Sequence, residues 1–347
     1  MSAVEGSVAP QNPNYLNFPG QGSQSVGMSE ALYAAAPEAA AIYDMTDKIL
    51  GYPLRSFSNS ETMLARTRYT QPVILSNSHA RVEVMKTRGI AGLEVPVEAV
   101  AGHSVGLFGA MVEAGVASYE DALKLVDARA IGMQHASDLK PGRMESVLNL
   151  TEAQAREVAD TIPDLYVAVI NEDNSVVMGG TYSALEAGRA AYKKVNPRTK
   201  AKALEVDGAF HTGLMEPARD ILGNQLEKTT LYAPTKRLYA NTSARVLEGM
   251  DEIRAEIMDQ LVNPVRWHDV VEAIHADGYT NGIEPSDAKI LSNIRKRRHG
   301  GHVLEIVLGS AVAGVGTALA LGTAYFLHEH DADRHEKEHP QNGGKKE

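Results

Sequence analysis

Val97–Gly109 reads VEAVAGHSVGLFG. A β-favouring run, Val97 to Ala101, enters Gly102-His103-Ser104-Val105-Gly106 and passes into small and apolar residues. Strand, Gly-x-Ser-x-Gly, helix is the pattern of a nucleophile elbow. The turn is sharp enough that a Cβ two residues before or after the serine would clash, which glycine avoids. The serine hydroxyl is thereby lifted to the N-terminus of the next helix, where the dipole favours developing negative charge. The plainer reading of the pentapeptide is a tight turn with a solvated serine, so the rest of the chain has to decide.

The chain has 347 residues, 44% of them hydrophobic, enough for one large domain or two ordinary ones. Its net charge of −10 argues against nucleic-acid binding as the main task. It has no cysteine, which excludes disulfides, thiolate metal sites and a thiol nucleophile. Residues Met1–Asn14 are polar with no apolar h-region, and read as a loose tail rather than a signal peptide.

Outward from the elbow, Tyr15–Phe18 is a strand candidate ending in the glycine-rich turn Pro19–Gln24. That turn is either an ordinary loop or a presenter of backbone N–H groups to a ligand. Ser29–Leu50 has helical spacing broken at Pro37, and Thr70-Gln71-Pro72 opens another helix. Ser118 caps a helix whose apolar face is Leu123, Val126, Ala130 and Met133. Arg129 lies close to that face; alone, such a cation is most simply a snorkelling surface residue.

From Met144 to Lys194 strands and helices alternate in short units, which points to an α+β subdomain inserted in a larger α/β body. Arg189, Lys193, Lys194, Arg198, Lys200 and Lys202 form a basic stretch, read equally as a solvated face or a docking patch for an acidic partner. His211 follows a strand candidate and sits in a loop; a serine nucleophile needs such a base. Leu231–Asn241 reads as another strand.

Six segments in order resemble the malonyl-CoA:acyl carrier protein transacylase family, including the acyltransferase domains of polyketide synthases. They are FPGQGSQ (Phe18–Gln24), TQP (Thr70–Pro72), GHSVG (Gly102–Gly106), ARAIGMQ (Ala128–Gln134), GAFHTGLM (Gly208–Met215) and QLVNPVRW (Gln260–Trp267). The resemblance implies an α/β-hydrolase-like core, residues 15–140 and 207–298, with a ferredoxin-like subdomain at 141–206. It implies Ser104 as nucleophile, His211 as general base, and Gln260 as the residue whose carbonyl orients the histidine. Gln21 and Val105 would supply oxyanion N–H groups, and Arg129 would bind the free carboxylate of a malonyl group. Phe210, with His103 and Val105 in the elbow, would bear on acyl selectivity. The implied partners are malonyl-CoA and an acyl carrier protein; no metal and no cofactor is expected. Leu107 departs from the acidic residue usual in that family, and Glu284-Pro-Ser-Asp-Ala-Lys289 replaces a usual glycine-proline-glycine turn.

Residues 299–347 extend beyond the resemblance. Residues 306–327 carry no charge and are long enough to cross a hydrocarbon core of about 30 Å as an apolar helix. The basic Arg295–Arg298 before them places the catalytic body on the cytoplasmic side of a membrane. A soluble helical hairpin is the alternative. Two other functions compete with malonyl transfer: a serine hydrolase acting on acyl thioesters, and a non-catalytic protein that docks carrier protein.

Overall fold

A computed structural model of the chain describes residues 14–88, 96–288, 290–292, 294 and 306–307. Among the described residues, ten strands fall into two sheets: β1 (Asn14–Phe18), β2 (Val97–Gly102), β3 (Gly142–Leu148), β4 (Leu165–Glu172), β5 (Ser175–Thr181), β6 (Lys200–Ala203), β7 (Arg237–Tyr239), β8 (Val246–Leu247), β9 (Asn281–Glu284) and β10 (Ile306–Val307). The larger sheet has the order β10-β9-β1-β2-β7-β8, parallel except for the β7–β8 edge. Its central strands are short and largely buried, because helices cover both faces of a parallel sheet. β1 is buried along its whole length.

The smaller sheet, β4-β5-β3-β6, is antiparallel throughout. Helices Glu152–Ala159 and Tyr182–Val195 connect β3 to β4 and β5 to β6. Side chains alternate between two cores. Val147, Val176 and Met178 pack with the helices in a separate cluster around Leu185 and Tyr192. Met144, Val177 and Ala168 turn the other way and join the main core. An irregularity between Val167 and Val169 brings Ala168 against the segment before Trp267. There the Val265 N–H donates to the Ala168 carbonyl at 3.0 Å, and the Ile170 N–H to the Val265 carbonyl at 2.9 Å. Backbone hydrogen bonds therefore tie the small sheet to the loop that follows Gln260.

Several expectations need correction. Asn14 belongs to β1 rather than to a loose tail, and residues 1–13 lie outside the described residues. The helix expected to open at Thr70 starts at Thr67 and runs to Arg88 with Pro72 inside it. The Thr70 hydroxyl donates to the Leu64 and Arg66 carbonyls, anchoring that first turn. Of the strand expected over Leu231–Asn241, only β7 forms, because just three residues reach β2 and β8. Of the apolar helix expected over 306–327, the first two residues, Ile306–Val307, instead form β10 beside β9. Residues 308–327 lie outside the described residues. Among the described residues, no helix is long and apolar enough to cross a membrane.

Both departures from the family pattern are absorbed by packing. Leu107 is buried in the main core. Glu284, at the end of β9, accepts from Ser292 N–H (2.9 Å), the Ser292 hydroxyl (2.7 Å) and Leu291 N–H (3.4 Å). A buried carboxylate thus organises a turn that glycines would otherwise make.

The elbow leaves no room for a side chain at either glycine. A Cβ on Gly102 would lie 2.0 Å from the Gly106 carbonyl carbon, and one on Gly106 would lie 2.2 Å from the Phe18 carbonyl oxygen. Both neighbours are backbone and cannot swing aside. Gly106→Ala is expected to lower unfolding free energy by about 3 kcal/mol, read as a drop in the urea midpoint. An unchanged midpoint would show the turn to be looser than this geometry requires.

Candidate active site

Ser104 sits between β2 and the helix Gly106–Glu113, with φ of 53°. That left-handed conformation is uncommon for a residue with a Cβ, and concentrates at functional sites. His211 lies in the loop after β6, also at positive φ (60°). The two loops meet so that Ser104 Oγ is 2.7 Å from His211 Nε2. The other ring nitrogen, Nδ1, is 2.6 Å from the Gln260 carbonyl oxygen. A carbonyl only accepts, so Nδ1 carries the proton and Nε2 is the free base facing the hydroxyl. Asp207, four residues before His211, bonds instead to the N–H and hydroxyl of Thr67.

Arg129 projects from the helix Tyr119–Leu139 into the same site, only 1% exposed. Its Nη2 donates to Ser104 Oγ (3.1 Å) and to Gln260 Oε1 (3.0 Å), and its Nη1 to Gln71 Oε1 (2.6 Å). All three partners are neutral, and Nε has no partner among the described residues. Burial pushes the guanidinium down to about 9.

Val105 is buried at the N-terminal end of the helix after the elbow, and Gln21 is in the turn after β1. Among the described residues neither backbone N–H donates to another protein atom. The Gln21 side chain donates to Thr67 Oγ1 at 3.2 Å. Phe210 is buried, its ring close to Gly208. The His103 ring lies edge-on to Trp267, centroids 5.4 Å apart, and burial pushes it down to about 4. In the basic stretch, Arg189 is bound to the buried Glu145, while Lys193, Lys194, Arg198, Lys200 and Lys202 are exposed. A cleft lined by Ile162, Leu165, Tyr166, Thr212 and Pro264 opens from His211 along β4. Among the described residues, no group of three His, Cys, Asp or Glu side chains could hold a metal ion.

Two contributors were not visible in the sequence. Asn241 Oδ1 accepts the Ser104 N–H at 2.8 Å, and Glu256 accepts the Asn241 N–H at 2.7 Å. Asn241 closes the segment read as a strand, and Glu256 reads as one more acid on an amphipathic helix; only the tertiary fold joins them to the elbow.

A hydroxyl against a neutral imidazole, with the next residue's backbone N–H free, can form an ester and pass it on. The fold and this geometry define a protein of the α/β class with a serine and a histidine paired at a sheet-to-helix turn. The acyl transferase domain family matches residues 15–306. Malonyl CoA-acyl carrier protein transacylase of Bacillus subtilis is 32% identical over 286 residues, covering 81% of this chain and 88% of that protein. The human mitochondrial transacylase is 34% identical over 279 residues, 77% of this chain and 71% of that protein. Among solved structures, an acyl-carrier-protein S-malonyltransferase from Bartonella henselae superposes with a TM-score of 0.79 at 28% identity, covering 86% and 96% of the two chains. An acyltransferase domain of the salinomycin polyketide synthase also gives 0.79, at 29% identity over 86% and 69%. The chain belongs to the acyl transferase domain family.

Burial, and then the Arg129 charge, push the His211 imidazole down to about 3. An unfolded histidine takes up its proton near pH 6.5, to about one unit. Between those values the unfolded chain binds the extra proton, so His211 makes stability fall as pH falls. Compared with His211→Asn, the wild-type chain should lose up to about 1.4 kcal/mol per pH unit below about 6.5. Denaturant unfolding of both proteins across that range measures it. Parallel stability curves would mean His211 is not held neutral.

Proposed function

We propose that this chain moves a malonyl group from coenzyme A to the phosphopantetheine thiol of an acyl carrier protein, in fatty acid or polyketide synthesis. The observation that carries the reading is Arg129: a buried cation with no carboxylate partner among the described residues, 3.1 Å from the hydroxyl that His211 faces. A malonyl thioester supplies both an electrophilic carbon for the hydroxyl and an anion for the guanidinium, whose planar N–H pair matches a carboxylate. A plain acyl group leaves the cation unpaired, at a cost of several kcal/mol, roughly.

Ser104 Oγ attacks the thioester carbonyl while its proton passes to His211 Nε2. The proton on Nδ1 stays with the Gln260 carbonyl, which holds the tautomer and stabilises the imidazolium. The N–H groups of Gln21 and Val105 receive the oxyanion, each worth about 3–4 kcal/mol of barrier lowering. Coenzyme A leaves as its sulfur takes the proton from His211. The carrier thiol then attacks the serine ester by the same steps in reverse, giving ping-pong transfer without metal or redox chemistry. Phe210 and His103 line the acyl side and bear on which diacid is accepted. We also assign the core an α/β-hydrolase-like architecture, with the β3–β6 sheet as its ferredoxin-like insert.

Intact-mass measurement after incubation with malonyl-CoA should show one malonyl adduct, absent in Ser104→Ala. Arg129→Ala should cut malonyl transfer by about 100-fold or more and change acetyl-CoA turnover much less. A malonyl adduct retained on Ser104→Ala would overturn the assignment.

The apolar run 308–327 is proposed as a membrane tether for this enzyme, supported by its length and the basic residues before it. The full chain should float with lipid vesicles and a chain ending at residue 307 should not. Equal behaviour of the two removes the tether.

A further inference from the structure

We propose that Asn241 and Glu256 are positioning residues that hold the Ser104 main chain in its reactive shape. The inference rests on Ser104 being the nucleophile. At φ 53° the serine backbone is in a conformation that its surroundings must impose. Asn241 spans the turn: Oδ1 accepts the Ser104 N–H at 2.8 Å, and Nδ2 donates to the Gly102 carbonyl at 2.8 Å. The amide can satisfy both only in one orientation. Its own backbone is fixed in turn. The Asn241 N–H donates to Glu256 Oε1 at 2.7 Å, the Arg266 N–H donates to the Asn241 carbonyl at 2.8 Å, and the Thr242 hydroxyl donates to Glu256 Oε2 at 2.5 Å. Asn241 is fully buried and Glu256 nearly so, which leaves little room for water to substitute.

This arrangement decides which N–H of the elbow is free. The Ser104 N–H is taken by Asn241, and the Gly106 N–H donates to the His103 carbonyl at 2.9 Å. Val105 N–H remains. It shares a peptide plane with the Ser104 carbonyl, which accepts from Gln260 Nε2 at 3.2 Å. Because that plane is rigid, a grip on the carbonyl also sets the direction of the N–H. Glu256 and Gln260 are one helical turn apart at the end of Met250–Asp259. One helix end therefore holds the serine backbone through Asn241, the base through the Gln260 carbonyl, and Arg129 through Gln260 Oε1.

The test measures single-turnover acylation of Ser104 by malonyl-CoA, and in parallel its phosphonylation by a fluorophosphonate. In the latter the serine oxygen bonds phosphorus, fluoride leaves, and the serine proton passes to His211. Asn241→Ala should slow both by about 10- to 100-fold, with the malonyl-CoA concentration dependence shifted less than about threefold because the Arg129 clamp is separate. Asn241→Asp keeps the acceptor, but at neutral pH sets a bare oxygen against the Gly102 carbonyl. Protonation restores the donor, so its rate should climb as pH falls from about 8 to about 5, where the wild-type rate does not. A folded Asn241→Ala with rates within about twofold of wild type, or an Asn241→Asp profile parallel to wild type, overturns the proposal. If the alanine variant does not fold, the near-isosteric aspartate variant decides. Wild-type protein that takes the phosphonate but no malonyl group overturns the malonyl reading alone, and the phosphonylation rates still test the positioning.

Discussion

A positive charge buried with no counter-ion among the described residues is the constraint around which the site is built. Arg129 is held by two glutamine carbonyls and the Ser104 hydroxyl, which orient the guanidinium without neutralising it. Desolvation of a cation is costly, and neutral acceptors offset only part of it. The site therefore favours a ligand that brings its own anion. The same charge depresses the basicity of His211, second only to burial. A bound carboxylate would relieve that depression just as the histidine is asked to take a proton. On the proposed reading, affinity for a diacid and strength of the base are linked through one field.

The surrounding fold works as a set of clamps on a strained turn. Only glycine fits at 102, which faces the backbone of Gly106, and at 106, which lies against the Phe18 carbonyl at the end of β1. The helix Met250–Asp259 closes from the other side. The loop after it is stitched by backbone hydrogen bonds to the Ala168 bulge of the small sheet. The histidine loop returns from that same sheet through Asp207, which is bound to Thr67, and Thr67 is bound to Gln21. Contacts between the two sheets accordingly run through residues that touch or adjoin the reacting groups.

Much of this was readable from the chain, and the residues explain which parts. GHSVG was legible because steric exclusion leaves glycine as the only solution at two positions, a local constraint with a local signature. The small subdomain was legible as short strands and helices that alternate after Met144. Arg129 was legible only through resemblance, since periodicity alone sets it beside an apolar face and makes it look like a snorkelling cation. Asn241 and Glu256 were invisible because their function depends on partners 137 and 15 residues away. The start of the Thr67–Arg88 helix was misplaced because Pro72 signals a first turn, while hydroxyl-to-carbonyl bonds from Thr70 sustain the earlier one. At the late turn, a buried glutamate does what glycines do elsewhere, which composition does not reveal.

β10 runs parallel to β9, β1 and β2, so the chain passes out of it at the sheet's carboxyl end, the end that bears the elbow. β1 enters from the opposite end. For immobilisation on a surface, an amino-terminal linker would leave the reactive mouth open, whereas bulk fused after Val307 would start out beside it.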